Sequence, residues 1–91
     1  MAWRKNLWGI VYLATRRYEK AAEHFQQAIR IQPDAGFVHY KLGCTYLLVG
    51  DKEAALVEQK KLEDLMIRTE DDSLRGSYRS KAEELLRKIQ Q

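Results

Sequence analysis

Five residues recur unchanged at an offset of thirty-four: Gly9 and Gly43, Tyr12 and Tyr46, Leu13 and Leu47, Glu19 and Glu53, Ala21 and Ala55. Trp8 and Leu42 add a conservative match at the same spacing. Self-similarity at a fixed period of this size marks an array built from one supersecondary unit. Such a solenoid presents a surface and rarely encloses an active site, so the period leans the reading toward binding.

The chain has 91 residues, enough for one domain with a modest core. Its hydrophobic fraction of 45% is too high for a disordered segment. No apolar run approaches the roughly 20 residues that a membrane-spanning helix needs. The start, Met1 to Lys5, has basic residues but no apolar stretch or cleavage site after them, so no signal peptide is read. A cytoplasmic location is expected, although the same absence would follow if the sequence were a fragment cut from a longer chain. Cys44 is the sole cysteine, which excludes a disulfide framework and a cysteine-based zinc site.

The net charge of +3 is uneven. Residues 1–33 carry six basic and two acidic side chains, whereas the other two thirds are close to neutral. The basic first third could attract an acidic partner. Clustered Lys and Arg on a recognisable reading element are missing, so no nucleic-acid binding is expected.

Helical periodicity runs through the chain, and no strand pattern is found. Trp3, Leu7, Trp8, Val11, Tyr12 and Thr15 mark a first helix over 3–15, and Tyr18, Ala21, Ala22, Phe25, Ala28 and Ile29 a second over 18–31. Pro33 stops the second, and Asp34 is placed to cap a third over 35–49. Gly50 and Asp51 suit a left-handed cap followed by a new N-cap, and a fourth helix covers 52–67. A polar linker, 68–72, precedes a last helix capped by Asp72 or Ser73. Its expected inner face is Leu74, Tyr78, Ala82, Leu85 and Ile89.

The first repeat contains Trp8-Gly9, Tyr12, Ala21, Phe25, Ala28 and Pro33, and this pattern resembles the tetratricopeptide repeat. The second keeps Leu42-Gly43, Tyr46 and Ala55, then departs: Gln59 stands for the aromatic, Leu62 for the small alanine and Ile67 for the proline. Small residues at Gly9 and Ala21, and again at Gly43 and Ala55, let antiparallel helices approach closely. The expected fold is an all-α, right-handed α-solenoid in one domain, with repeat one over about 2–35 and repeat two over about 36–68. A capping helix over about 73–90 closes it, with Arg75, Arg79, Lys81, Glu83, Glu84, Arg87 and Lys88 facing outward.

The resemblance implies a non-catalytic module that takes a protein or peptide partner in a concave groove lined by the first helix of each pair. The groove positions are then Trp3, Asn6, Leu7, Ile10, Leu13 and Ala14, followed by Phe37, Tyr40, Lys41, Cys44, Leu47 and Leu48. One subfamily grips chaperone-tail carboxylates with a lysine and an asparagine where this chain has Asn6 and Ile10, so that clamp is absent. The expected groove is apolar and aromatic, with Trp3, Phe37 and Tyr40 as its main anchors and Lys41 biasing it toward acidic flanks. The alternative is structural self-assembly, as a homodimer or array, through the edge made by Trp8, Val11 and Thr15.

No chemistry competes with this. His39 and Cys44, five apart, lie about 140° apart around a helix and cannot form a nucleophile–base pair. Two isolated histidines, His24 and His39, do not supply a metal site, and the scattered glycines make no phosphate loop. No catalytic residue, cofactor or metal is assigned.

Overall fold

The computed structural model describes residues 9–91. Among them are five helices and no strand. Residues 9–14 belong to α1, followed by α2 (Tyr18–Ile31), α3 (Gly36–Leu48), α4 (Lys52–Arg68) and α5 (Asp72–Gln90). The fold is an all-α helical repeat.

The thirty-four-residue period reappears in the backbone. After α1, Arg16 N–H donates to Leu13 O (3.1 Å) and Arg17 N–H to Tyr12 O (2.8 Å). After α3, Gly50 N–H donates to Leu47 O (3.1 Å) and Asp51 N–H to Tyr46 O (2.8 Å). Each pair is the hydrogen-bond signature of a helix closed by a left-handed residue, which satisfies carbonyls the helix leaves open. Gly50 takes φ +84° there, and Arg16 takes φ +61° in the matching place. Arginine pays a steric penalty in that conformation and glycine does not.

The caps differ from expectation at two helices. Ala35, not Asp34, is the N-cap of α3 and offers no side-chain acceptor. Asp34 instead contributes its carbonyl, which accepts from the Tyr78 hydroxyl at 2.9 Å. The cap of α5 is Asp71, whose Oδ1 accepts from Ser73 and Leu74 N–H, so the linker shortens to residues 69–71. Asp51 caps α4 as expected, accepting from Ala54 N–H at 3.0 Å.

α3 is the central element and packs against α2, α4 and α5. That explains its lack of a single apolar stripe: Gly36, Val38, His39, Leu42, Gly43 and Thr45 are buried on different sides of it. One core cluster holds Ala21, Phe25, Ala28, Val38 and Leu42, with Tyr12 and Leu13 of α1 packed on it. A second holds Leu62, Leu65, Tyr78, Ala82 and Leu85. Burying side chains of this size contributes about 1.5–3 kcal/mol each.

Glycines set the close approaches. A Cβ on Gly9 would lie 2.5 Å from the Phe25 ring of α2, as the proposed first crossing requires. At Gly43 the tightest approach comes from α5: a Cβ there would meet Leu85 at 2.5 Å. Gly36 faces Tyr78 of α5 in the same way, at 2.6 Å. Contacts 36–78 and 43–85 advance together along the chain, so α3 and α5 run parallel, with α4 joining them. Leu74, assigned to the inner face of α5, is 45% exposed because that face begins at Tyr78.

Candidate functional site

The face shared by α3 and α5 carries six of the nine groove positions that fall among the described residues. Phe37 is 40% exposed, and Lys41, one turn on, holds its ammonium 5.5 Å from the Phe37 ring centroid. Tyr40 and Cys44 lie beside them, turned toward α5. An open depression of about 420 Å³ sits between the starts of α3 and α5, lined by Phe37, Val38, Leu74, Ser77, Tyr78 and Lys81 among others.

The expected apolar character does not hold across this face. Lys88, assigned to the outer side of α5, is exposed yet folds back: its Nζ donates to Tyr40 Oη at 3.0 Å and lies 3.9 Å from Cys44 Sγ. It also stands 5.3 Å from the Tyr40 ring centroid. Burial pushes the Tyr40 phenol above its usual range, and the hydrogen bond to Tyr40 holds the Lys88 ammonium up. Lys81, also assigned outward, donates to Ser77 Oγ at 2.7 Å and lines the depression.

Among the remaining groove positions, Trp3, Asn6 and Leu7 lie outside the described residues. Ile10 of α1 is 38% exposed, whereas Leu13 packs on the first core cluster. Tyr40, Cys44 and Leu47 pack on the second cluster, so they are partly structural. For the edge, Trp8 also lies outside the described residues. Val11 is exposed, and Thr15 uses its hydroxyl locally, donating to the Val11 and Tyr12 carbonyls.

The polar node that sequence reasoning missed is buried. His39 Nδ1 is 2.8 Å from Glu58 Oε1, and His39 Nε2 is 2.7 Å from Pro33 O. A carbonyl only accepts, so Nε2 carries a hydrogen. The node ties the α2–α3 turn, α3 and α4 together, and both side chains are sealed from solvent. No local signal announces it, because Glu58 reads as one more charge on an exposed helix. Among the described residues no group of three or more His, Cys, Asp or Glu side chains could hold a metal ion. Nor is any helix among them long and apolar enough to cross a membrane.

Paired helices repeating at thirty-four residues, with glycine under an aromatic at the first crossing, correspond to a family model. The model of the tetratricopeptide repeat matches residues 4–35. That stretch of the chain is similar to a tetratricopeptide repeat. Tetratricopeptide repeats generally mediate protein–protein interaction, and their fold is a scaffold rather than a catalytic one. The match spans α2 and the described part of α1; α3 and α4 reproduce the same turn without being included in it. No curated protein and no solved structure matches the chain significantly.

Proposed function

We propose that the α1–α3–α5 face binds a segment of a partner protein without catalysis, and that the chain forms one domain of two tetratricopeptide hairpins closed by α5 as a cap. The observation that carries this reading is Phe37: a large aromatic 40% exposed near the start of the central helix, beside an open depression. A partly exposed aromatic flanked by a pocket is the usual anchor point of a protein interface. Phe37, Ile10, Ala14, Lys41 and Leu48 are the groove positions free to meet a partner, with Tyr40, Cys44 and Leu47 forming its floor.

The test is peptide capture by the immobilised protein, followed by mapping of the retained segment and measurement of its affinity for Phe37→Ala. The variant should bind about tenfold more weakly, the equivalent of roughly 1.4 kcal/mol for a lost anchor. Unchanged affinity in a variant with wild-type circular dichroism rejects this face. Phe37 serves better than Tyr40 here, since truncating Tyr40 would also disturb the second core cluster.

Self-association through α1 is a second reading, favoured by Val11, which is 42% exposed. Mass by light scattering over a concentration series separates the two. A constant monomer mass removes self-association, and Val11→Glu should abolish any dimer formed through this edge.

A further inference from the structure

We infer that the partner segment is acidic, its carboxylates taken up by Lys41, Lys81 and Lys88; this rests on the groove reading just given. Among the lysines of the described residues, Lys41 and Lys81 alone are half-buried, and Lys88, though exposed, is tied by its ammonium to Tyr40. All three lie along the α3–α5 face. Lysine ordinarily leaves its ammonium free in water, so holding three of them against one face needs a reason.

Each of the three rests on a neutral group: Lys41 over the Phe37 ring, Lys81 on Ser77 Oγ and Lys88 on Tyr40 Oη. The ion pairs among the described residues lie elsewhere, at His39–Glu58, Lys61–Glu58, Arg68–Asp64 and Arg75–Asp72. The nearby carboxylates are Asp34, at the rim of the depression, and Glu84, on α5 between Lys81 and Lys88. Neither comes within ion-pair distance of the three ammonium groups, so the face keeps an excess of positive charge. A ring, a hydroxyl and a phenol hold the lysines in place without neutralising them. The side chains are thereby ordered before a ligand arrives, which lowers the entropy cost of binding.

Spacing narrows the ligand further. Lys81 and Lys88 stand two helical turns apart, about 10.5 Å along α5. An extended peptide covers that distance in about three residues. An acidic segment with carboxylates every second to fourth position, and an apolar side chain to lie on Phe37, satisfies both features of the face. Nucleic-acid phosphates would also be drawn to lysine, but one exposed aromatic and three cations among the described residues of this face fit a short acidic peptide better than a polyanion track.

The test uses the full chain and fluorescence anisotropy with three labelled probes. These are a peptide of alternating glutamate and leucine, its glutamine counterpart and an oligothymidine of similar length. The glutamate peptide should bind at least about tenfold more tightly than the other two, and its affinity should fall as salt is raised. The double variant K81E/K88E should lose that preference and bind a lysine–leucine peptide instead, while K81Q/K88Q should only lose it. Equal binding of the glutamate and glutamine peptides, both weakened by Phe37→Ala, overturns the acidic assignment and leaves the groove reading standing. Binding of neither peptide overturns the groove reading itself, and with it this inference. Tighter binding of oligothymidine overturns the peptide assignment in favour of nucleic acid.

Discussion

Arg16 occupies a backbone conformation that its counterpart thirty-four residues later assigns to glycine. The left-handed region costs a non-glycine residue about 1–2 kcal/mol. Arg16→Gly should therefore raise the unfolding midpoint, by an amount equivalent to roughly 0.5–1 kcal/mol once the extra freedom of glycine in the unfolded chain is subtracted. Urea denaturation of the two proteins decides it, and a lower midpoint would show that the penalty is relieved locally. The same logic with opposite sign applies to Gly9 and Gly76. A methyl at Gly9 collides with three atoms of the buried Phe25 ring, whereas one at Gly76 meets nothing within 4 Å. Gly9→Ala should destabilise by about 1–3 kcal/mol, and Gly76→Ala should stabilise by up to about 1 kcal/mol. At the buried node, Glu58→Ala strands His39 against Pro33 with nothing to face Nδ1, a change expected to cost about 3 kcal/mol.

At the scale of elements, α5 is held by long-range polar contacts at Tyr78, Lys88 and the Ala82 carbonyl and by steric seats at Gly36 and Gly43. Tyr78 donates to Asp34 O, and burial raises the Tyr78 phenol above its ordinary value of 10.0. A tyrosine raised in the folded state stabilises the fold while it is neutral, and that contribution disappears as pH climbs through and beyond 10. Lys88 is also raised, by its bond to Tyr40, and its contribution is lost in the same direction. The unfolding temperature should consequently drop above about pH 10. Tyr78→Phe should cost about 0.5–1.5 kcal/mol at neutral pH and should flatten part of that alkaline decline. A drop of equal size in Tyr78→Phe would assign the decline to other groups.

Helix extents and turn residues were legible in the sequence because their signals act over a few residues. Pro33 ends α2, and Gly50-Asp51 closes α3 and opens α4, where the local chemistry demands it. Asp34 misled for a related reason: it has the right side chain for a cap, but the chain turns one residue later. Lys88 is exposed as its place in the pattern suggests, but its bond to Tyr40, forty-eight positions away, lies beyond the range of any periodicity. Gly43 was matched to α4 by analogy with Gly9. In the second repeat, however, Gln59 replaces the ring, and the glycine's exposed flank is covered by Leu85 from the next helix.

Across the whole molecule, the two core clusters are joined through α3, and the second exists only while α5 is in place. Ending the chain at residue 71 would uncover Leu62 and Leu65 together with the backbones of Gly36 and Gly43. The truncated protein should lose its sharp thermal transition and bind a hydrophobic dye such as ANS. A truncated chain that melts cooperatively near the full-length temperature would show that α5 is an accessory. The contrast follows from size: a chain this short has little apolar surface in reserve to offset the ordering of its backbone.

The paired notches at Gly36 and Gly43, spaced to receive Tyr78 and Leu85, also bear on how this chain can vary. Bulk gained at 36 or 43 has to be given up at 78 or 85, since neither helix can slip along the other without losing both seats at once. Descendants of this sequence should accordingly change these four positions as two linked couples, even where the loops between them drift freely.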